Sequence, residues 1–178
     1  MRMGIQIGAR PDAGFDDPLG MLHDCHRRIE HFLNIICVVA DRAAGRTLSE
    51  EESAGIQAAL SYFRTGGQRH NADEEQSLFP RMRAGGAEQV PEIGGLEHDH
   101  RDAELLHAKV DTIYSAWIAN QAIPPQQQGE LKLATDKLKK LYEQHIAIEE
   151  KVVFPRAAQT LTPEAIAAIG QEFRDRRS

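Results

Sequence analysis

Apolar residues recur every three or four positions along almost the whole chain, the spacing of helices that each bury one stripe. The first stripe reads Leu22, His26, Ile29, Leu33, Ile36 and Ala40. Asp17 followed by Pro18 is a start signal, a side-chain acceptor at the N-cap and a pre-set φ at the first helical position; Gly45 ends the helix. The second helix opens at Ser49, with Glu52 three residues later as a capping box, and carries Ile56, Leu60, Phe63, Gly67, His70, Glu74 and Leu78. Pro80 and then Gly85-Gly86 are expected to close it. The third runs from about Pro91 to Asn120 with Leu96, His100, Ala103, His107, Val110, Tyr114 and Trp117 on one side. After Pro124-Pro125 the fourth covers about 126–154, with Leu131, Ala134, Leu138, Leu141, His145, Ile148 and Val152. A short helix follows Thr162-Pro163 and runs into RDRRS, whose basic end, Arg174 to Arg177, reads as a solvated tail. No segment has strand period. The pattern predicts an all-α fold, an up-down-up-down antiparallel four-helix bundle with a short extra C-terminal helix. Residues 1–16 are expected to form a flexible tail, 17–156 the bundle, and 157–178 the short helix and tail.

Each of the four long stripes is interrupted by a histidine where an apolar residue would serve. His26 is about eight residues from the start of its helix and His100 about nine; His70 and His145 are about ten from the ends of theirs. At ~1.5 Å per residue, each sits ~12–15 Å from the same end of the bundle. The four imidazoles should therefore meet at one level. The halves repeat: His26 to His70 spans 44 residues and His100 to His145 spans 45, and HRRIE at 26–30 echoes HRDAE at 100–104. The chain reads as two helical hairpins related by a pseudo-twofold axis.

The repeat is strictest in HNADEEQSLFP (70–80) and HIAIEEKVVFP (145–155), both H-x-x-x-E-E-x-x-x-F-P. A His and a Glu four residues apart lie one turn apart on one helix face. Two such pairs, His70/Glu74 and His145/Glu149, add two carboxylates to four imidazoles. Ionised carboxylates are not buried without a partner, and no protein cation accompanies these. A pair of divalent ions would neutralise them, each Glu bridging. Mixed nitrogen and oxygen ligation without thiolate suits iron or manganese, with zinc as an alternative. The second Glu of each doublet, Glu75 and Glu150, is expected to face solvent. Phe79 and Phe154 are expected to pack at the bundle end as proline closes each helix. His98 and His100 point ~200° apart, and Leu96 and Ala103 place His100 on the core side. His23 is a candidate to flank the site, His107 to line it or sit in the core, and His31 to lie on the surface.

Composition narrows the function classes. The chain has 178 residues, a net charge of −6 and a pI near 5.7, so there is no electrostatic case for nucleic acid or an anionic membrane as partner. No apolar run approaches ~20 residues, so no membrane span is expected. The start, MRMGIQIGARPDAGFDD, lacks an apolar signal core. Cys25 and Cys37 are too far apart on a helix to bridge, and read as reduced thiols of a cytoplasmic protein. No glycine-rich phosphate loop, G-x-S-x-G elbow or cysteine nucleophile setting is present.

Four segments, DCHRRIEHFL (24–33), HNADEEQSLFP (70–80), LEHDHRDAE (96–104) and HIAIEEKVVFP (145–155), together resemble the hemerythrin-like, HHE cation-binding family. The resemblance covers about residues 18–156. It implies a four-helix bundle holding a non-haem di-iron centre, with His26, His70, Glu74, His100, His145 and Glu149 as ligands and each Glu bridging two iron ions. Oxygen-carrying members place a second histidine one turn after the first on the third helix; Glu104 stands there in this chain, and Glu30 is its pseudo-symmetric equivalent. Both are candidate additional ligands, which would make the site richer in carboxylate and turn it from reversible oxygen carriage toward oxidative chemistry. Those carriers also place the bridging acid of the last helix five after its histidine, the position of Glu150; the match to HHE proteins and helix geometry favour Glu149. The expected function is a redox-active di-iron protein that binds or reacts with O2, NO or peroxide, in sensing, detoxification or iron handling. The alternative is a metal-storing or metal-sensing module without turnover, with the basic end at Arg174–Arg177 as a candidate partner contact.

Overall fold

The computed structural model describes residues 12–84 and 90–178. Five helices follow in order: α1 (Pro18–Arg42), α2 (residues 50–84), α3 (Glu92–Asn120), α4 (residues 125–160) and α5 (Pro163–Asp175). α1 packs against α2 and α4, and α3 packs against the same two, which closes the antiparallel four-helix ring. The start signals act as their chemistry predicts. Asp17 Oδ1 accepts from the Gly20 amide at 3.0 Å. Ser49 and Glu52 make both bonds of the capping box, at 3.1 and 2.8 Å. Between α1 and α2 the chain turns through Ala44 and Gly45, both left-handed, and the Gly45 carbonyl accepts from the Ile123 amide at 3.2 Å; a Cβ at Gly45 would press on the Ile123 carbonyl.

Pro80 and Pro155 do not close their helices. Each is the second residue of a continuing α-helical segment, Phe79–Ala84 and Phe154–Thr160. The reason precedes each proline: a π-helical turn, Glu74–Leu78 in α2 and Glu149–Val153 in α4. The Phe79 and Phe154 amides reach five residues back, to the Glu74 and Glu149 carbonyls. The wider turn shifts the hydrogen-bond register by one, so a residue without an N–H follows without breaking the helix. The glycines 85 and 86 lie outside the described residues.

Two apolar clusters fill the bundle. One holds Ile36, Phe63, Tyr114, Trp117 and Leu138 among others. Its far end is pinned by Tyr114, which donates to the Ile36 carbonyl, and by Trp117 Nε1, which donates to the Arg46 carbonyl at 2.8 Å. The other is built from Leu22, Leu78, Phe79, Leu96, Val153, Phe154, Ile169 and Phe173. Along α1, α2 and α3 the histidine falls between the two, for example between Leu22 and Ile29 on α1 and between Leu96 and Ala103 on α3, and on α4 His145 lies at the edge of the first, beside Ile146. The polar level is therefore sandwiched between dry layers.

Neither end of the chain behaves as a loose tail where it is described. The Ala13 amide donates to Asp24 Oδ2 at 2.6 Å, Arg28 pairs with Asp12 at 2.5 Å, and the Phe15 backbone lies so close to Gly170 of α5 that a side chain there would displace it. Residues 1–11 lie outside the described residues. At the other end α5 is capped by Thr162, whose hydroxyl accepts from the Ala165 amide at 3.2 Å, and buries Ile169 and Phe173 in the second cluster. Its basic end is not a solvated tail. Arg176 Nε and Arg177 Nη2 donate to the two oxygens of the fully buried Asp73, at 2.8 and 2.6 Å. Ser77 bonds Glu172 at 2.5 Å, and Arg81 forms a two-pronged pair with the same carboxylate. Three residues of α2 at helical spacing thus grip α5. Among the described residues, no helix is long and apolar enough to cross a membrane.

Candidate metal centre

His26, His70, Glu74, His100, His145 and Glu149 meet at one level, all buried. They form two quartets: His26, His70, Glu74 and Glu149 in one, Glu74, His100, His145 and Glu149 in the other. Within each quartet one donor atom per residue lies within 4.8 Å of the rest, and both carboxylates belong to both groups. The four imidazoles present Nε2 inward. His26 Nε2 is 3.0 Å from Glu149 Oε2 and His145 Nε2 is 3.1 Å from Glu149 Oε1. His70 Nε2 and His100 Nε2 lie 3.5 and 3.3 Å from Glu74 Oε2. The two strings supply His, Glu and the π turn from α2 and α4, and α1 and α3 supply one histidine each, so the pseudo-twofold axis passes between the glutamates.

Outer groups orient these rings. His26 Nδ1 donates to Glu150 Oε1 at 2.9 Å, His100 Nδ1 to Glu75 Oε1 at 2.7 Å and His145 Nδ1 to Asp99 Oδ2 at 3.3 Å. A carboxylate accepts only from N–H, so each bond places the proton on Nδ1 and leaves the Nε2 lone pair facing the centre. Glu75 and Glu150 therefore do not simply face solvent; each crosses to the histidine of the other hairpin. His23 joins Glu150 at 3.1 Å, on the rim. Phe154 stacks on His26 with ring centroids 5.3 Å apart, and Phe79 lies parallel to His100 at 6.3 Å. The two phenylalanines of the repeated string thus roof the site as well as filling the second cluster. Missed in the sequence were Asp99, the outer roles of Glu75 and Glu150, and the burial of Asp73. The E-E doublet and the acid preceding His100 were the available signals.

Glu30 and Glu104 are exposed and belong to neither quartet. Ile29 and Ala103 occupy the inward positions, and the residue that follows each is rotated about 100° away. His98 is exposed, 3.4 Å from Asp102, and His31 is exposed. Cys25 is buried and Cys37 partly buried; both are free thiols outside the quartets.

The electrostatics show what the site lacks. Burial, followed by the charge of Glu149, pushes the Glu74 carboxyl well above its usual range. Burial alone would raise Glu149 too, but the His145 and His26 imidazoles set against it outweigh that and hold Glu149 well below the range. Burial and neighbouring imidazoles lower His70 and His100, which favours their neutral, lone-pair-bearing form. Both oxygens of Glu74 and of Glu149, together with His26 Nε2, have no aligned hydrogen-bond partner among the described residues. His100 Nε2 and His145 Nε2 face each other at 3.2 Å. Converging lone pairs and unsatisfied carboxylates in a dry layer are unfavourable without cations. A donor set of four imidazole nitrogens and two shared carboxylates fits metal ions.

A cleft of about 620 Å³ between α2 and α3 reaches this level, with His100, Glu75, Glu104, His107 and Tyr142 in its wall. The Tyr142 hydroxyl and His107 Nε2 share a hydrogen bond at 3.0 Å, and Phe63 stacks on His107 at 4.1 Å. Burial lowers His107 from 6.5 to about 4. A group held neutral in the fold takes up its proton first when unfolded, so stability is lost as pH falls from about 6.5 to about 4. The loss is expected to reach roughly 2–3 kcal/mol, allowing for partial exposure. Urea unfolding at pH 7 and pH 4.5 checks it: His107→Gln should lose less stability between the two than the wild type.

The comparisons with known proteins agree with the geometry. No curated protein sequence gives a significant match. The family model of the hemerythrin HHE cation-binding domain matches residues 17–158, the span that carries all six inward-facing residues and the three outer carboxylates. The chain belongs to the hemerythrin HHE cation-binding domain family.

Proposed function

We propose that the protein holds a di-iron centre and reacts with a small oxygen, nitric oxide or peroxide ligand that enters by the cleft between α2 and α3. One observation carries the reading: two quartets share two buried carboxylates, and every oxygen of those carboxylates lacks a hydrogen-bond partner among the described residues. His26 and His70 would hold one ion, His100 and His145 the other, and Glu74 and Glu149 would be common to both. Iron in such a setting supplies reversible electron transfer and an exchangeable coordination position. The chain's own contribution is preorganisation. Glu75, Asp99 and Glu150 fix three imidazoles in the Nδ1–H form. Phe79, Phe154 and the two apolar clusters keep bulk water from the carboxylates. Tyr142 and His107 form a polar pair in the wall of the cleft, beside the ring of His145, whose centroid lies 6.4 Å from that of Tyr142.

Anaerobic reconstitution with Fe(II), followed by metal analysis and an optical spectrum of the oxidised protein, tests the reading. Two irons per chain with near-ultraviolet charge-transfer absorption are expected, and His70→Ala or Glu149→Ala should lose both signals. Iron that binds without peroxide or nitric oxide turnover above free iron would make the protein a storing or sensing module. Less than about one metal per chain would overturn the proposal.

A further inference from the structure

We propose that the two cation positions are unequal, and that the position between His100 and His145 is the tighter, because both of its imidazoles are anchored by carboxylates and His70 is not. This rests on the two-cation reading above.

The asymmetry lies in the outer contacts, since the inward-facing residues obey the pseudo-twofold. His100 and His145 donate to Glu75 and Asp99 at 2.7 and 3.3 Å. In the other pair His26 donates to Glu150 at 2.9 Å, but His70 Nδ1 is buried with no hydrogen-bond partner among the described residues. The sequence supplies the cause. Glu75 and Glu150 are equivalent positions, each following the inward glutamate of its string. Asp99 is the residue before His100, and the residue before His26 is Cys25. The thiol of Cys25 instead accepts from Arg28 Nη2 at 3.5 Å. One hairpin thus has an acid to orient the histidine of its partner helix, and the other has a neutral thiol at that place.

An anchored imidazole is held in the right tautomer and orientation and is a more basic donor. Such outer partners typically change metal affinity 10- to 100-fold. To present Nε2, His70 must keep its proton on Nδ1, where no group of the described residues accepts it. The expected difference between the positions is therefore about 10- to 100-fold in dissociation constant.

The test uses Co(II) alone, added anaerobically to the metal-free full chain, with anomalous scattering from crystals to assign occupancy. At one ion per chain, most of the anomalous signal is expected between His100 and His145, and the second position should fill only on further addition. Asp99→Ala, a change at a half-exposed side chain, should weaken the first position 10- to 100-fold and bring the occupancies together. Equal occupancy at one ion per chain, filling of the His26/His70 position first, or an unchanged preference in Asp99→Ala would each overturn the proposal. Failure of the underlying reading is a separate outcome: no anomalous peak at either position at saturating Co(II).

Discussion

Glu74→Gln is expected to abolish cation binding and yet to stabilise the cation-free protein at neutral pH. Both effects come from one fact: Glu74 is a buried carboxyl set beside the Glu149 carboxylate, with no hydrogen-bond partner for either of its oxygens among the described residues. Each bound cation stabilises the wild type by about 4 kcal/mol at a free concentration near 1,000 times its dissociation constant. For a chain of this size each such gain corresponds to roughly 8–16 °C in melting temperature. Glu74→Gln should forfeit that gain, because the amide cannot serve as an anionic ligand to both quartets. Without cations the sign reverses. The folded state holds Glu74 well above its ordinary value of 4.5, so above pH 4.5 the unfolded chain releases a proton that the folded chain retains. Stability of the cation-free wild type therefore falls as pH rises from about 4.5 through the raised value. Glutamine has no proton to lose and lacks this slope. Glu149 contributes in the opposite sense: its folded-state value is lowered, so the stability it adds is lost as pH falls below 4.5. Thermal unfolding in chelator and in excess Fe(II) or Co(II), at pH 5 and pH 7.5, checks all of this. A cation-free Glu74→Gln protein less stable than wild type at pH 7.5 would contradict the account.

Removing α5 is expected to be the most damaging deletion in the chain, although α5 contributes no residue to the quartets. Asp73 is fully buried, and its two oxygens are taken by Arg176 and Arg177. Cutting the chain after residue 162 leaves that carboxylate buried and unpaired, a loss of about 3–5 kcal/mol. It also uncovers the second apolar cluster, from which Ile169 and Phe173 would be withdrawn. The subtler variant Arg176→Ala/Arg177→Ala keeps the apolar contact and should still lose about 3–5 kcal/mol. Combining it with Asp73→Ala should restore part of the loss, because the unpaired charge goes too. Urea unfolding of the double and triple variants decides the matter; purely additive losses would mean that the pairs to Asp73 contribute nothing specific. Asp73 directly precedes Glu74, and Ser77, which bonds Glu172, lies within the π turn. Metal retention should therefore fall with stability in the same series.

Much of the architecture was legible because helices announce themselves locally. The capping box at Ser49, Asp17-Pro18 and most of the apolar stripes need only neighbours along the chain and are present as read; at the end of α4 the π turn shifts the phase, so Val152 is exposed and Val153 is buried in its place. The four histidines also converge as read, through the repeat of the two hairpins; equal distances from helix ends do not account for it, since α2 and α4 continue to residues 84 and 160. The errors share one origin. Pro80 and Pro155 would stop a regular helix, but the π turn that precedes each lets the chain continue. Glu75 and Glu150 look like solvent-facing residues on their own helices, and find partners only on helices of the other hairpin. The basic end reads as a solvated tail until α5 folds back across α2 and brings it to Asp73, about a hundred residues away in the chain.

By itself, then, the sequence determined the helices, their order, the level at which histidine and glutamate meet, and the pairing of His70 with Glu74 and His145 with Glu149. These follow from periodicity and from one-turn spacing, which are properties of a single helix. Tertiary structure alone decided which carboxylates are shared, which imidazoles are anchored and by what, where Glu30 and Glu104 point, and what α5 holds down. Each of those depends on which side chain of a neighbouring helix lies opposite, a matter of packing and rotation that no spacing along one helix records.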